Sequence, residues 1–138
     1  MIYGIGIDLI EIERIAAAVD RFGERFVQRI LGPQEQLRHE ARRARSARRG
    51  LAYLATRFAA KEAVSKAIGL GLRSPMSWRA VEILNAPSGK PEAVAHGALA
   101  EFLRARRLRL SVSVTDEQTM AMAFAVAEVI DGEAAMED

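Results

Sequence analysis

Residues 51–68 constrain the fold most. Leu51, Leu54, Ala55 and Phe58 recur at the helical period, and Gly69 supplies a natural C-terminal stop. A helix this long has to bury its apolar stripe against other elements, so the rest of the chain must provide a layer for it. Tyr3, Ile5 and Ile7 alternate with Gly4 and Gly6, which predicts a first strand over about 2–8, ended by Asp8. The two glycines allow another backbone or a ligand to come close. Ile12, Ile15, Ala16 and Val19 predict a helix over 12–19, and a second helix fits 22–30, closed by Gly32-Pro33. Residues 34–49 read as a third, strongly basic helix. Later, 80–85 and 92–95 read as short strands around the turn Ala86-Pro87-Ser88-Gly89-Lys90-Pro91, and 97–107 as a helix. Leu108, Leu110, Val112 and Val114 alternate with polar residues, and Met120, Met122, Phe124 and Val126 with alanines. These two runs form a hairpin about the turn at 116–119. The expected class is α+β with a mainly antiparallel sheet in one compact domain over 1–130, followed by an acidic, frayed tail over 131–138.

Several classes of protein are excluded. The 138 residues include no cysteine, which removes a disulfide scaffold, a thiolate metal site and a cysteine nucleophile. A reducing, cytoplasmic setting fits. The start, Met1 to Asp8, has no basic region before its apolar run and does not read as a secretory signal. No apolar stretch approaches the length of a membrane span. Net charge is only +2, yet Arg38, Arg42, Arg43, Arg45, Arg48 and Arg49 crowd one segment. That run reads either as a solvated helix face or as a contact for an anion: a phosphate ligand, an acidic protein or nucleic acid.

The chemistry gathers on the long helix. Arg57, Lys61 and Ser65 are spaced by four and share a stripe; Glu62 and Lys66 form the adjacent one. Arg57 and Lys61 repel each other unless something anionic lies near them. A polyphosphate would serve, and a carboxylate in its midst could hold a metal. Mg²⁺ takes one or two carboxylates beside water and phosphate oxygens, so Asp8 and Glu62 suffice if the fold brings them together. The same residues also read as a capping aspartate and an ordinary Glu62–Lys66 helix pair. Ser88-Gly89-Lys90-Pro91 offers backbone N–H groups and a cation to a phosphate, without the spacing of a P-loop. Gly4 and Gly6 lack the third glycine of a dinucleotide fingerprint. His39 and His96 stand apart from any catalytic or zinc spacing and read as surface or capping residues. Trp78 reads as core.

Taken together, these segments resemble a known family. Gly4-Ile5-Gly6-Ile7-Asp8-Leu9-Ile10-Glu11-Ile12 with Arg14-Ile15, and Arg57-Phe58-Ala59-Ala60-Lys61-Glu62-Ala63 with Ser65-Lys66-Ala67, resemble the two main signatures of the holo-acyl-carrier-protein synthases. Gly89-Lys90-Pro91 resembles a third and Ser113-Val114-Thr115-Asp116-Glu117 a fourth, in the family's order and across about residues 1–130. The resemblance implies a 4′-phosphopantetheinyl transferase fold, a homotrimer with sites between subunits, and transfer of phosphopantetheine from coenzyme A to a serine of apo-acyl carrier protein in support of fatty acid synthesis. It implies Mg²⁺ on Asp8 and Glu62, with Asp8, Glu62 and Lys66 catalytic. It implies coenzyme A against Arg57, Lys61, Ser65, Lys66, Gly89, Lys90, Pro91 and Asp116, and carrier docking on Arg14, Arg21 and Arg25. Neither nucleic acid nor membrane is an expected partner. Thr119-Met120 stands where many members carry His-Tyr, so the turn after Glu117 receives no catalytic role.

Overall fold

The structure is a computed structural model that describes residues 1–131. The greater part of the expected acidic tail, 132–138, lies outside the described residues. The element order is β1 (Ile2–Glu11), α1 (Ile12–Phe22), α2 (Glu24–Ile30), α3 (Pro33–Arg45), α4 (Ala47–Ala67), a single 3-10 turn (Trp78–Ala80), β2 (Val81–Asn85), β3 (Pro91–Ala95), α5 (Gly97–Ala105), β4 (Leu108–Asp116) and β5 (Met120–Val129). The expected α+β class and antiparallel pairing hold. β1, β5 and β4 form one antiparallel sheet in that order, and β2 and β3 form a separate antiparallel hairpin.

The helix at the centre of the sequence reading, α4, lies across the three-stranded sheet, and small residues let it lie close. A Cβ added at Gly4 would fall 2.1 Å from the Ala67 carbonyl oxygen, and one at Gly6 would fall 2.0 Å from that of Ala63. No side chain fits there, so β1 rests directly on the helix backbone. β5 contributes Ala121, Ala123, Ala125 and Ala127, all buried, to the same layer. Ala59, Ala60, Ala63, Val64 and Ala67 meet them from α4. A second apolar cluster joins α1 and α2 to the first half of α4 through Ile12, Ile15, Val27, Ile30, Leu31, Tyr53 and Leu54.

This packing inverts the usual sense of alternation. The large residues of β1 and β5 point away from α4: Ile5, Ile7 and Leu9 are each more than half exposed, with Met122 and Phe124 beside them. In register, Ile5 faces Val126, Ile7 faces Phe124 and Leu9 faces Met122. The outer face is therefore apolar across β1 and β5, and it is bordered on β4 by the polar row Arg109, Ser111, Ser113 and Thr115.

Several boundaries differ from expectation. β1 does not end at Asp8 but runs to Glu11, because β5 continues to pair with it as far as Met120. Gly32-Pro33 opens α3 rather than closing α2: Pro33 takes the first helical position, where its missing N–H costs nothing. The Glu35 carboxylate accepts the Gly32 N–H at 2.9 Å. The basic helix over 34–49 is two helices. Ser46 is extended and its Oγ accepts the Arg49 N–H at 3.3 Å, so it caps α4, which starts at Ala47. The arginine run is thereby divided, with Arg48 and Arg49 on α4 and the others on α3.

Candidate active site

Asp8 sits within β1, in register with Ala123 of β5, and its side chain turns toward α4. Because the strand is flush on the helix, this carboxylate reaches the Glu62/Lys66 stripe. Lys66 Nζ lies 3.3 Å from Asp8 Oδ1 and donates to the Ile7 carbonyl at 2.9 Å. Asp8 is 19 % exposed and Lys66 is 50 % exposed, so the cation can leave this pair without unfolding anything. Glu62 is half-buried beside them. Burial, then the charge of Asp8, raises its carboxyl above the ordinary 4.5, and Lys66 opposes the rise. Two carboxylates and a half-exposed ammonium therefore share one open edge of the α4–β1 seam. No group of three or more metal-ligating side chains occurs among the described residues. A pair of carboxylates is nonetheless a donor set that fits Mg²⁺, which keeps waters and phosphate oxygens for its other positions.

The neighbouring stripe has a different fate. Lys61 is fully buried. Its ammonium has oxygen partners at 2.6–2.8 Å on all sides: the carbonyls of Ile30, Trp78 and Val81 and the Glu35 carboxylate. Three N–H groups facing four acceptors leave nothing for an outside phosphate. Ser65 is also buried, and its hydroxyl donates to the Glu62 carbonyl at 2.7 Å. In this fold Lys61 joins α4 to α2, α3, the 3-10 turn and β2, the Ser65 hydroxyl bonds within α4, and neither offers the diphosphate contact expected of it. Arg57, likewise buried, donates to the Ile83 carbonyl at 3.1 Å, to Asn85 Oδ1 at 3.1 Å and to Thr56 Oγ1 at 3.2 Å.

Arg57 nevertheless borders a cavity of about 620 Å³ that also receives Arg42, Arg45, Arg49, Tyr53 and Asp116. The guanidinium groups of Arg42 and Arg57 lie over the Tyr53 ring, 4.6 and 4.2 Å from its centroid. The buried Tyr53 hydroxyl has no hydrogen-bond partner among the described residues. Four guanidinium groups and this hydroxyl outweigh the single Asp116 carboxylate, so the lining is strongly cationic. Residue reading missed it because the Ser46 cap, which folds α3 back against α4, was read as part of one helix. The Ser-Ala-Arg-Arg order at 46–49 was the available signal.

The turn over 86–91 is a tight hairpin end, not an open cradle. Gly89 N–H donates to the Ala86 carbonyl at 2.7 Å, and Lys90 N–H faces Ser88 Oγ at 3.4 Å. Of this turn's expected contacts Lys90 offers its exposed ammonium, whereas Gly89 spends its N–H on Ala86 and Pro91 has none. Arg14 and Arg21 on α1 and Arg25 on α2 are all exposed. His39 is buried, which corrects its reading as a surface residue: burial holds its imidazole below the usual range. His96 precedes α5, and its Nε2 lies 2.8 Å from buried Glu82. Trp78 is half-buried on the 3-10 turn, stacked on Phe58.

The strand laid flush on the long helix, with carboxylates from both at one edge, lies within a segment that matches a class of transferase. Residues 4–125 match the 4′-phosphopantetheinyl transferase superfamily, and the chain belongs to it. Within that class it is similar to the holo-[acyl-carrier-protein] synthase of Cupriavidus taiwanensis, with 59 % identity over 93 % of this chain and 91 % of the relative. Its fold is that of the crystal structure of holo-[acyl-carrier-protein] synthase from Neisseria meningitidis, with a TM-score of 0.85 and 41 % identity over 93 % of this chain and 99 % of that one. The Helicobacter pylori synthase, solved in complex with coenzyme A, matches with a TM-score of 0.76 and 29 % identity over 90 % and 99 % of the two chains. No described helix is long and apolar enough to cross a membrane.

Proposed function

We propose that this chain transfers the 4′-phosphopantetheine group of coenzyme A to a serine of an apo-acyl carrier protein, releasing adenosine 3′,5′-bisphosphate. The observation that carries this reading is the meeting of Asp8, Glu62 and Lys66 at one open edge in a chain whose relatives bear that activity in their names. Asp8 and Glu62 would hold Mg²⁺. When bound, the ion supplies charge neutralisation to the diphosphate and makes its phosphorus easier to attack.

The chain's own residues do the rest. Lys66 exchanges its partner Asp8 for a phosphate oxygen and steadies the charge that grows on the leaving group. Glu62, whose carboxyl is raised by burial, is the proton acceptor for the attacking serine hydroxyl, directly or through a water. The nucleophile comes from the carrier, so the chain needs no triad of its own. The cavity of Arg42, Arg45, Arg49 and Arg57 takes the 3′-phosphate, and the Tyr53 hydroxyl gains its missing partner there. The Lys90 turn follows directly from Asn85, which Arg57 holds, and so borders the same end of coenzyme A. Exposed Arg14, Arg21 and Arg25 offer a cationic surface to an acidic carrier.

The apolar patch on the outer face of β1 and β5 supports self-association, since Ile5, Ile7, Leu9, Met122 and Phe124 lie together there in contact with water. Three copies per assembly, as the family resemblance implies, is the proposed state. Replacing Ile7 with Glu places a charge at the centre of that face and is expected to give a monomer by light scattering; an unchanged mass would remove this interface.

Incubating an apo-acyl carrier protein with the chain, coenzyme A and Mg²⁺, and weighing the carrier by intact mass spectrometry, tests the reaction. The expected result is the gain of one phosphopantetheine, abolished by EDTA. An unchanged carrier mass with a folded chain and several carriers would overturn the reading.

A further inference from the structure

The far end of the sheet holds another cavity, which none of this chemistry uses. It measures about 300 Å³ and lies between β3, α5 and the start of β4. Arg109 on its rim and Asp116 of the arginine cavity stand near opposite ends of β4. At about 3.3 Å per residue, those two residues are about 23 Å apart along the strand. Three guanidinium groups reach the cavity: Arg104 from the last turn of α5, Arg107 from the link to β4, and Arg109. The other side chains that line it are all aliphatic, with Leu103, Leu110 and Ile130 the largest on its walls.

Arg107 gives this cavity its character. Its φ is 55°, and among the described residues it is the only non-glycine with a positive φ. Glycine enters this left-handed region freely, and a residue with a side chain does so only under strain. The reversal from α5 into β4 uses the backbone of Arg107 alone. Its N–H donates to the Arg104 carbonyl at 3.1 Å, and its carbonyl accepts the Ile130 N–H at 2.9 Å. Glycine would make both bonds with less strain. The Arg107 side chain makes no hydrogen bond or ion pair among the described residues. Its neighbours differ, since Arg104 meets Glu101 at 2.6 Å and Arg109 meets Glu128 at 3.3 Å. A strained backbone thus holds an arginine at the mouth of an apolar cavity, with no described carboxylate opposite it. Strain kept where glycine would relieve it points to a task for the side chain outside the fold.

We infer that this cavity binds a monocarboxylate with an aliphatic chain. The chain lies against Leu103, Leu110 and Ile130, and the carboxylate takes the Arg107 guanidinium in a charge-assisted pair. The lining carries no hydroxyl, amide or aromatic side chain. A sugar would bury its hydroxyls there without partners, and a nucleobase would find no ring to stack on. Arg104 and Arg109 already face carboxylates, so a single negative charge suits the site better than a phosphate dianion. The Arg107 link is pinned by α5 on one side and by the end of β5 on the other, so the cation is in place before the ligand arrives. The inference does not depend on the transfer reaction, and the two readings stand or fall separately.

Octanoate, octan-1-ol and acetate separate the parts of this site: chain with charge, chain alone and charge alone. Isothermal titration calorimetry of the full chain is expected to show one octanoate bound per chain, and no comparable binding of the other two at the same concentration. Arg107→Gly removes the cation and relieves the backbone. Its Tm without ligand is expected to hold or rise, while its Kd for octanoate increases about tenfold. Arg107→Asn, whose side chain also tolerates the left-handed region, repeats the test if the glycine variant does not fold. Arg106→Ala removes a neighbouring guanidinium that instead stacks on Phe102, 3.8 Å from the ring centroid, and should leave the Kd unchanged. Absence of octanoate binding by the wild type would overturn the inference. Octan-1-ol or acetate binding as tightly as octanoate would do the same, since the site would then be an apolar hollow or a surface charge. So would an unchanged octanoate Kd in Arg107→Gly, an equal weakening in Arg106→Ala, or a Tm lowered in both Arg107 variants, which would make the arginine a structural residue.

Discussion

Two stripes of one helix, offset by a single residue, behave in opposite ways. Arg57, Lys61 and Ser65 are buried, and their polar atoms bond within the chain. Phe58, Glu62 and Lys66 face a cleft and an open edge. Both stripes repeat every four residues and both include a lysine, and nothing in that spacing separates them. What separates them is the element that closes over each. The 3-10 turn, β2 and the end of α2 cover the first stripe and bring carbonyl oxygens to it. β1 covers the edge of the second with glycines and a carboxylate. A cation on a helix is thus structural or functional according to what lies opposite it.

The sharpest break of this comparison is Lys61→Met. It leaves Glu35 buried without its cation, and the expected loss of stability is about 3–5 kcal/mol, read by urea unfolding. A variant that keeps its stability and instead loses coenzyme A affinity would mean that Lys61 belongs with the second stripe. Glu62→Gln should do the reverse. Proton transfer by a positioned group contributes about 10²–10⁴-fold, and turnover in the mass assay should fall by that order while the fold persists.

Glu62 also carries a pH signature. Its carboxyl titrates higher in the folded chain than in the unfolded one, so the folded state holds more protons between the two values. Without metal, wild-type stability should therefore fall as pH rises from about 4.5 through the raised value, and then level off. Thermal melts in EDTA across that window should show the slope in the wild type and lose it in Glu62→Gln. A slope of the opposite sign would mean that Lys66, rather than burial and Asp8, dominates the Glu62 environment. The smallest effect expected is that of Tyr53→Phe. Removing a buried hydroxyl that has no partner should raise stability by about 1 kcal/mol or leave it unchanged. If that hydroxyl meets the 3′-phosphate, KM for coenzyme A rises severalfold; an unchanged KM would take Tyr53 out of the anion cavity.

These contrasts also show what was legible in the sequence. The Gly-Ile-Gly-Ile-Asp run and the Glu62–Lys66 spacing were enough, with the family resemblance, to bring Asp8 and Glu62 together. The hairpin of β4 and β5 followed from alternation. The burial of Lys61 was not legible, because three of its four partners are backbone carbonyls from separate elements, and a carbonyl has no residue type to read. The inside-out β1 was equally hidden. Alternation marks two faces of a strand but does not say which one meets the core, and here glycine and alanine face the helix. The arginine cavity was lost through one residue, Ser46, whose cap divides a run that composition alone joins.

The flush contact of β1 on α4 has a consequence for ion choice. The closeness of β1 to α4, which brings Asp8 toward Glu62, depends on two missing side chains, since a methyl group at Gly6 would meet the Ala63 oxygen and lift the strand. A narrow, stiff seat suits a small ion with strict octahedral demands, and a wider one suits a larger ion with looser geometry. On the proposed reading, the approach of Asp8 to Glu62 depends on glycine as much as on the carboxylates themselves, and a single added carbon at Gly6 would disturb it.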